Sequence, residues 1–343
     1  MRTLTRRELN RALLARQLLL ERAALPLPEA LERVAGIQAQ YAPSMYVGVW
    51  SRLAGFERGD LTAALERRAV VQATLLRSTI HLVSRADYWP FALATRAVRR
   101  ASWLRATPDA PGAAAMAGAA RALRRRLERD DVLRRAEIEQ LVGKQRAQGA
   151  GLWVDLVRAP PSGTWERRRA DLYALAEDWI GPPEVSVRAA TELLVRRYLA
   201  GFGPASAKDV ASFTGLGLKA LEPVLSALEL ERYRSEDGSE LLDVPGAPLP
   251  DPETPAPPRF LPTWDATLLV HARRTRLLPE EHRPKLFSTK TPQSFPSFLV
   301  DGAVAGKWRH ERGRIVLEPF GRLDAAARRA LDEEAERLVA FHA

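Results

Sequence analysis

The chain contains no cysteine among its 343 residues. That absence removes disulfides, thiolate nucleophiles and cysteine-ligated zinc together, and it fits a reducing compartment. Histidine is scarce as well. The five (81, 271, 282, 310 and 342) are scattered and form no HExxH or comparable ligand spacing, so neither a metal nor an organic cofactor is implied. No apolar run approaches the ~18 residues of a membrane span. The opening stretch MRTLTRRELNRALLARQLLLER is too charged and too regularly periodic for a signal peptide. A soluble, cytoplasmic protein is the expectation. Lysine is rare, with 6 residues against 46 arginines.

What the chain does have is positive charge. The formal net charge is +10 and the pI is near 10.3, a balance that suggests an anionic partner, most often nucleic acid. An Ala/Arg/Leu-rich chain also results from GC-rich coding, so charge alone does not decide the matter. Its distribution adds something: residues 96–135 hold 11 arginines against 4 acids, concentrated in VRRASWLR and ARALRRRLERDDVLRR. The length exceeds what one hydrophobic core usually serves, so two or more domains are expected.

The clearest boundary is PGAPLPDPETPAPPR (245–259), where seven prolines in fifteen residues exclude helix and central strand. Upstream, a group of helices followed by two short strands recurs three times. The third copy is the most legible. TELLVRRYLAGFG reads as a helix, SAKDVASFTGL as a short helix opened by the capping box Ser206-x-x-Asp209, and GLKALEPVLSALE as a third helix. ELERYRSEDGSELLDV follows as a hairpin turning at Asp237-Gly238. Helix, short helix, helix and hairpin make a winged helix. The first copy opens at a second capping box, Thr5-x-x-Glu8, and PLPEALERVAGIQAQ is predicted as its second helix. SMYVGVWSRL is a further short helix and Asp60 caps another. AVVQATLLRSTIHLVS reads as two strands joined near Arg77-Ser78, and Ser84 caps the next helix. In the middle copy GAGLWVDLVRA is expected as helix and GTWERRRADLYALAED as the wing. Past the linker, RFLPTWDATLLVHARRTRLL and PSFLVDGAVAGKWRHERGRIVLEPF carry strand alternation, with hairpin-like Asp301-Gly302 and Arg312-Gly313. A charged amphipathic helix closes the chain, read as a solvated face over a small β domain. The expected fold is mainly α with small β elements: winged helices over 1–100, 101–185 and 186–245, a linker over 246–259, and a C-terminal β-rich domain over 260–343.

At this point several segments carry a resemblance. IQAQY followed by VGVWSRL, then LLRSTIHLVSRADY, LPTWDATLLVHARR and LVDGAVAGKWR, in that order, resemble the AlkZ/YcaQ-type winged-helix DNA glycosylases over nearly the whole chain. The resemblance implies three tandem winged helices with a small C-terminal β domain. It also implies a catalytic Gln-aliphatic-Gln element, matched here by Gln38-Ala39-Gln40, with Ala39 smaller than the aliphatic residue often found there. HLV (81–83) matches a recurrent family segment without an assigned catalytic role, and Trp264 and Asp265 fall in another. The implied activity is hydrolysis of the N-glycosidic bond of cationic N7- or N3-alkylpurines in double-stranded DNA, with interstrand crosslinks as further candidates. No lysine nucleophile lies nearby, which suggests a monofunctional enzyme. A monomer is expected, nucleoid-associated when on DNA. The competing reading is a non-catalytic winged-helix DNA-binding protein or regulator.

Two glutamines suit such a substrate. A purine alkylated at N7 or N3 already carries positive charge and leaves as a neutral base, so no general acid is needed. What remains is to position a water and stabilise an oxocarbenium-like sugar, which pre-organised carboxamide dipoles can do. On a regular helix, residues two apart point roughly 200° away from each other. The pair therefore converges only if the helix ends between them, and Pro43 disfavours helix at Ala42, which brings Tyr41 and Ser44 close. The bland alternative is a pair of solvated helix-end residues. Arg77, Arg99, Arg100, Arg124, Arg125 and Arg126 are candidate phosphate contacts or ordinary solvated helix charge. His81, in an apolar strand, reads as a structural histidine or an active-site neighbour. Asp265 reads as an active-site residue or as a cap or arginine partner.

Overall fold

The computed structural model describes residues 1–343 apart from 108, 272–274 and 289–292. The first stretch runs β1 (Thr3–Leu4), α1 (Arg6–Arg16), α2 (Leu27–Arg33), β2 (Ile37–Gln38), α3 (Ala42–Trp50), α4 (Arg58–Glu66), β3 (Val70–Thr74), β4 (Ile80–Ser84) and the long α5 (Arg85–Ala106). The capping chemistry read from sequence sets its helix starts. The Thr5 hydroxyl accepts from Glu8 N while Glu8 accepts from Thr5 N, and the Ser84 side chain accepts from Asp87 N. Asp60 caps α4 from within, because the helix starts at Arg58 and the Asp60 carboxylate accepts from Glu57 N at 2.8 Å.

Next come α6 (Ala113–Asp130), β5 (Val132–Arg134), α7 (Arg135–Val142), α8 (Lys144–Gly149), β6 (Leu156–Arg158), β7 (Leu172–Leu175) and α9 (Ala176–Ile180). The helix expected over GAGLWVDLVRA is instead a 3-10 turn at Ala150–Leu152 followed by strand β6. Pairing overrides propensity there: β6 lies between β3 and β7, with Val157 opposite Ala73 on one side and Ala174 on the other. A single six-stranded sheet, in the order β2-β4-β3-β6-β7-β5, thus runs across residue 100.

The third stretch has the anticipated order: α10 (Val187–Phe202), α11 (Ala207–Thr214), α12 (Leu218–Ala227), then the hairpin β8 (Glu231–Ser235) and β9 (Glu240–Asp243). It also recruits β1, which pairs parallel with β8, Thr3 opposite Arg234. The proline-rich segment then runs along α1. Proline donates no hydrogen bond but its carbonyl accepts, and Arg7, Arg11 and Arg16 donate Nε–H to Pro252 O (2.8 Å), Thr254 O (2.7 Å) and Pro248 O (3.1 Å). Arg16 also forms a buried two-pronged pair with Asp243.

The last stretch contains β10 (Arg259–Leu261), α13 (Arg283–Leu286), β11 (Phe287–Ser288), β12 (Gln293–Ser294), β13 (Ser297–Val300), β14 (Ala303–Glu311), β15 (Arg314–Pro319) and α14 (Ala325–His342). Strands β10, β13, β14 and β15 form an antiparallel sheet in that order. Both tight turns have positive φ at two residues, Asp301-Gly302 and Arg312-Gly313, as two-residue hairpins require. The strand alternation read over 259–278 is realised only at β10. A 3-10 turn occupies Ala266–Leu268, and residues 272–274 lie outside those described. Helix α14 covers more than its own sheet. Leu331, Ala335 and Leu338 join a core with Trp50, Phe56 and Trp165, and the Phe341 ring centroid lies 5.8 Å from Trp50 and 5.7 Å from Trp165. Among the described residues no helix is long and apolar enough to cross a membrane.

Candidate active site

The predicted helix over 26–40 ends at Arg33, earlier than expected, and the glutamines do not lie on a helix at all. Ala35 and Gly36 take φ of 58° and 80°, turning the chain from α2 into β2. A Cβ on Gly36 would sit 2.9 Å from Val83 Cγ1 and 3.2 Å from Leu82 O. Conformation and space therefore both demand glycine. Strand β2 then pairs antiparallel with β4, placing Gln38 opposite His81. In extended chain, side chains two apart share a face, so no helix terminus is needed to bring the pair together. Ala39, pointing the other way, is buried in the core.

The two glutamines are held differently. Gln38 is buried, and Arg77 Nη2 donates to its Oε1 over a long 3.4 Å. Gln40 is exposed, two residues past the end of β2. Its Oε1 accepts from Ile80 N at 2.7 Å, next to the Ala39 N to Ile80 O bond of the same length. Because that donor is a backbone N–H, the atom it meets is the carboxamide oxygen of Gln40 and not its NH2 group. Each carboxamide oxygen keeps one lone pair for a further donor.

Arg77 owes its position to backbone strain. Arg77 (φ 51°, ψ 25°) and Ser78 (φ 59°) are successive left-handed non-glycine residues at the tip of the β3–β4 hairpin, each costing about 1 kcal/mol or more. The tip is held by Leu75 N to Thr79 O (2.9 Å) and Ser78 N to Leu75 O (3.1 Å). Arg77 Nη1 reaches Phe213 O of α11 at 3.0 Å, and the guanidinium lies over the Phe213 ring. Burial lowers its pKa to about 10, so it is cationic at neutral pH. His81 is buried beside it, and burial first, with the charges of Arg77 and Arg99 next, lowers its pKa to about 3. His81 Nδ1 lies 3.1 Å from Thr79 O, a group that can only accept, so Nδ1 carries the proton of a neutral ring. The site holds one fixed cation and one fixed neutral imidazole.

Next to Gln40, Tyr41 starts the wall of a cleft of about 530 Å³ between α3 and the C-terminal sheet. Ser44, Trp165, Arg168, Trp264, Trp308 and His310 also line it. The sequence-predicted Tyr41, Ser44 and Trp264 therefore converge, although neither Gln38 nor Gln40 forms part of that wall. Trp264 adopts φ of 64° and its N–H donates to Ser294 Oγ at 2.8 Å. Asp265 lies behind it as a structural residue. It is buried, caps the 266–268 turn through Thr267 N (3.1 Å) and pairs with Arg52 at 3.0 Å.

Residues 31–341 match the family model of the AlkZ-like DNA glycosylases. The chain belongs to that family. The solved structure of the Streptomyces sahachiroi DNA glycosylase AlkZ is similar in fold, with a TM-score of 0.81 at 19% sequence identity, covering 99% of this chain and 96% of that one. No curated protein sequence matches the chain.

For a DNA glycosylase of this family the predicted phosphate-contacting arginines divide. Arg99 faces inward: it is buried and donates to Thr74 O (2.8 Å) and Ala92 O (3.0 Å), fastening α5 to the end of β3. Arg100 is half-buried and donates to Leu152 O at 2.7 Å. Arg124 pairs with Glu177, and Arg126 with Asp130 at 2.6 Å. Arg77 is spent on Gln38 and Phe213. Of the six only Arg125 is exposed without an ion pair among the described residues. Sequence reading missed Gln72, which is buried in β3 and donates to Ala39 O at 3.4 Å. The signal was present, since a glutamine inside the apolar run VVQAT needs a buried partner.

Proposed function

We propose that this DNA glycosylase hydrolyses the N-glycosidic bond of purines made cationic by alkylation at N7 or N3, and that Gln38 and Gln40 carry the chemistry. The single observation behind this reading is the pair of uncharged carboxamides, Gln38 in β2 and Gln40 just past its end, beside groups whose charge is fixed across the neutral range. Arg77 stays cationic and His81 stays neutral. Neither supplies a titrating acid, and a substrate that brings its own positive charge needs none. The remaining lone pairs of Gln38 Oε1 and Gln40 Oε1 would accept the O–H bonds of the attacking water and turn its oxygen toward the sugar carbon. Their dipoles would offset the charge of the oxocarbenium-like transition state. Arg77 would fix the carboxamide plane of Gln38. No lysine and no carboxylate is among the described residues lining the adjoining cleft, which favours a monofunctional enzyme that leaves an abasic site uncut.

The three helix groups with hairpins, over 1–100, 101–185 and 186–245, would act as winged helices along double-stranded DNA, the protein working as a monomer. The exposure of Gln40 suits lesions that cannot be fully extruded, interstrand crosslinks among them, because a base tethered to the opposite strand cannot swing into a deep pocket. The test is release of free 7-methylguanine from a methylated duplex, read by chromatography, with strand integrity read on denaturing gels before and after hot alkali. Release by the wild type and release slowed ~10²–10³-fold in Gln38→Ala or Gln40→Ala is the expected result. Equal release by wild type and variants would remove the glutamines from the mechanism.

A further inference from the structure

The loop joining β6 to β7 contains Trp165-Glu166-Arg167-Arg168-Arg169. Its three consecutive arginines are exposed and, with Arg134 at the end of β5, they line a groove of about 240 Å³. The one carboxylate on that groove, Asp171, pairs with Arg169 at 3.2 Å. Arg134 and Arg167 make no ion pair among the described residues. Four guanidinium groups against one acid is a surface short of negative charge, and planar guanidinium groups match phosphodiester oxygens in pairs.

The loop is built stiff. Trp165 is buried edge-on against Tyr46 (5.6 Å between centroids) and Phe341 (5.7 Å). Ser162 Oγ accepts from Asp171 N (2.8 Å) and Leu172 N (3.1 Å) and donates to Arg169 O (2.7 Å), while Gly163 N donates to Arg167 O at 2.7 Å. Arginines presented on a fixed loop lose less entropy on binding than arginines on a floppy one.

The loop also reaches the candidate catalytic segment by two routes. Arg168 Nη1 donates to the Tyr41 hydroxyl at 3.1 Å, one residue from Gln40. Gly163 (φ +78°) packs so closely on Gln72 that an added Cβ would lie 2.4 Å from Gln72 Oε1, and Gln72 Nε2 in turn donates to Ala39 O. We infer that the 159–171 loop is a DNA-backbone arm, in which Arg134, Arg167 and Arg168 bind phosphates flanking the damaged nucleotide. Through Tyr41 and Gln72 the arm sets the position of the Gln38–Gln40 strand. Arg168 and Tyr41 are positioning residues in this scheme. The inference rests on the DNA glycosylase reading for its partner, and its binding arm is testable without any base release.

The test measures affinity for a short undamaged duplex by fluorescence anisotropy at several salt concentrations between roughly 50 and 200 mM. For every phosphate that the protein no longer neutralises, the slope of log affinity against log salt becomes shallower by ~0.9. Arg134→Ala/Arg167→Ala is therefore expected to reduce the slope by about two units. Arg283→Ala/Arg337→Ala removes the same charge from two exposed, ion-paired arginines outside the three helix groups and is expected to leave the slope unchanged. A slope equal to wild type in the first double variant, or equal reductions in both, would overturn the arm. Tyr41→Phe is expected to retain the slope yet lower the single-turnover rate of 7-methylguanine release at saturating DNA several-fold, and an unchanged rate would overturn the coupling. If wild type releases no base while the slopes change as stated, the chemistry is wrong and the arm stands.

Discussion

Two hairpins of this molecule make the same reversal by opposite means. The β8–β9 hairpin turns at Asp237-Gly238, where Gly238 takes a φ of 82° at no steric cost and the Asp237 carboxylate accepts from Ser239 N at 3.1 Å. Its first strand is largely exposed, and the turn closes on local bonds, Ser235 N to Ser239 O (2.9 Å) and Gly238 N to Ser235 O (2.9 Å), with β1 paired alongside. The β3–β4 hairpin turns at Arg77-Ser78, both left-handed, neither glycine, with Leu75 and Leu76 buried just before them. That turn holds because Phe213 O and Gln38 Oε1 receive the Arg77 guanidinium. Strain maintained by tertiary contacts is found beside the glutamines and not in the glycine-turned hairpin, which is where a site that must fix its groups would keep it.

The largest expected effect separates the two hairpins by chemistry. Gln38→Ala and Gln40→Ala should each reduce 7-methylguanine release by ~10²–10³-fold, the scale of removing one pre-organised polar group. Circular dichroism should show the fold intact, and reductions under about threefold would place the reaction elsewhere. Next comes the backbone that delivers the pair. Gly36→Ala forces a Cβ into a positive φ and against Val83 and Leu82, and should cost roughly 2–4 kcal/mol in urea unfolding. A cost near zero would mean that β2 can shift off β4.

pH probes the buried side of the same hairpin. His81 and His271 have folded pKa values of about 3 against an ordinary 6.5, both through burial first. As pH falls below 6.5 the unfolded chain takes up protons that these rings refuse, so stability drops, by ~1.4 kcal/mol per pH unit for each ring. Asp87 works the other way, because burial raises its pKa to about 6. Its contribution is complete below its ordinary value of 3.8 and is lost as pH rises through about 6. Two rings against one carboxyl leave a net loss of about one ring's worth on acidification. Denaturation midpoints from about pH 7 to 4.5 should decline, while the rate of base release at saturation should be flat from about pH 6 to 8, where neither Arg77 nor His81 titrates. A bell-shaped rate profile in that window would require an acid or base other than these two.

The smallest effects compare the turns directly. Ser78→Gly should stabilise by about 1 kcal/mol by relieving a left-handed serine, whereas Gly238→Ala should destabilise by a similar ~1 kcal/mol. Thermal melts with shifts of the same sign would show that the β3–β4 tip is not strained.

Much of this fold is legible in the sequence because short-range chemistry fixes it. Thr5, Ser84 and Ser206 cap the helices that their spacing predicts, and Asp237-Gly238, Asp301-Gly302 and Arg312-Gly313 turn where expected. Long-range pairing is not legible. GAGLWVDLVRA has helical spacing, and only β3 and β7 on either side make it strand. VAGIQAQ reads as the end of a helix, yet Gly36 is the better signal, since a positive φ just past a helix is what glycine supplies. Of the site, the motif residues 38 and 40 and the cleft residues 41, 44 and 264 can be named from their order in the chain. The role of each arginine cannot, because charge shows at the level of composition while burial is decided by packing. Arg99, one of the arginines in VRRASWLR, points into the core. Arg168 of GTWERRR lies beside Tyr41, and nothing in its local sequence says what lies opposite it.

The pairing of β1 with β8 also sets a timetable for synthesis. Thr3 and Leu4 find their strand partner only at Arg234 and Ser235, and Leu4 ends fully buried with Leu9 and Leu241. At a translation rate of ~5–20 residues per second, the first strand waits roughly ten to fifty seconds for the segment that will cover it. Throughout that interval Leu4 and Leu9 lack the Leu241 side chain that will cover them, so the nascent chain would present this apolar face to a chaperone until the β8–β9 hairpin is made.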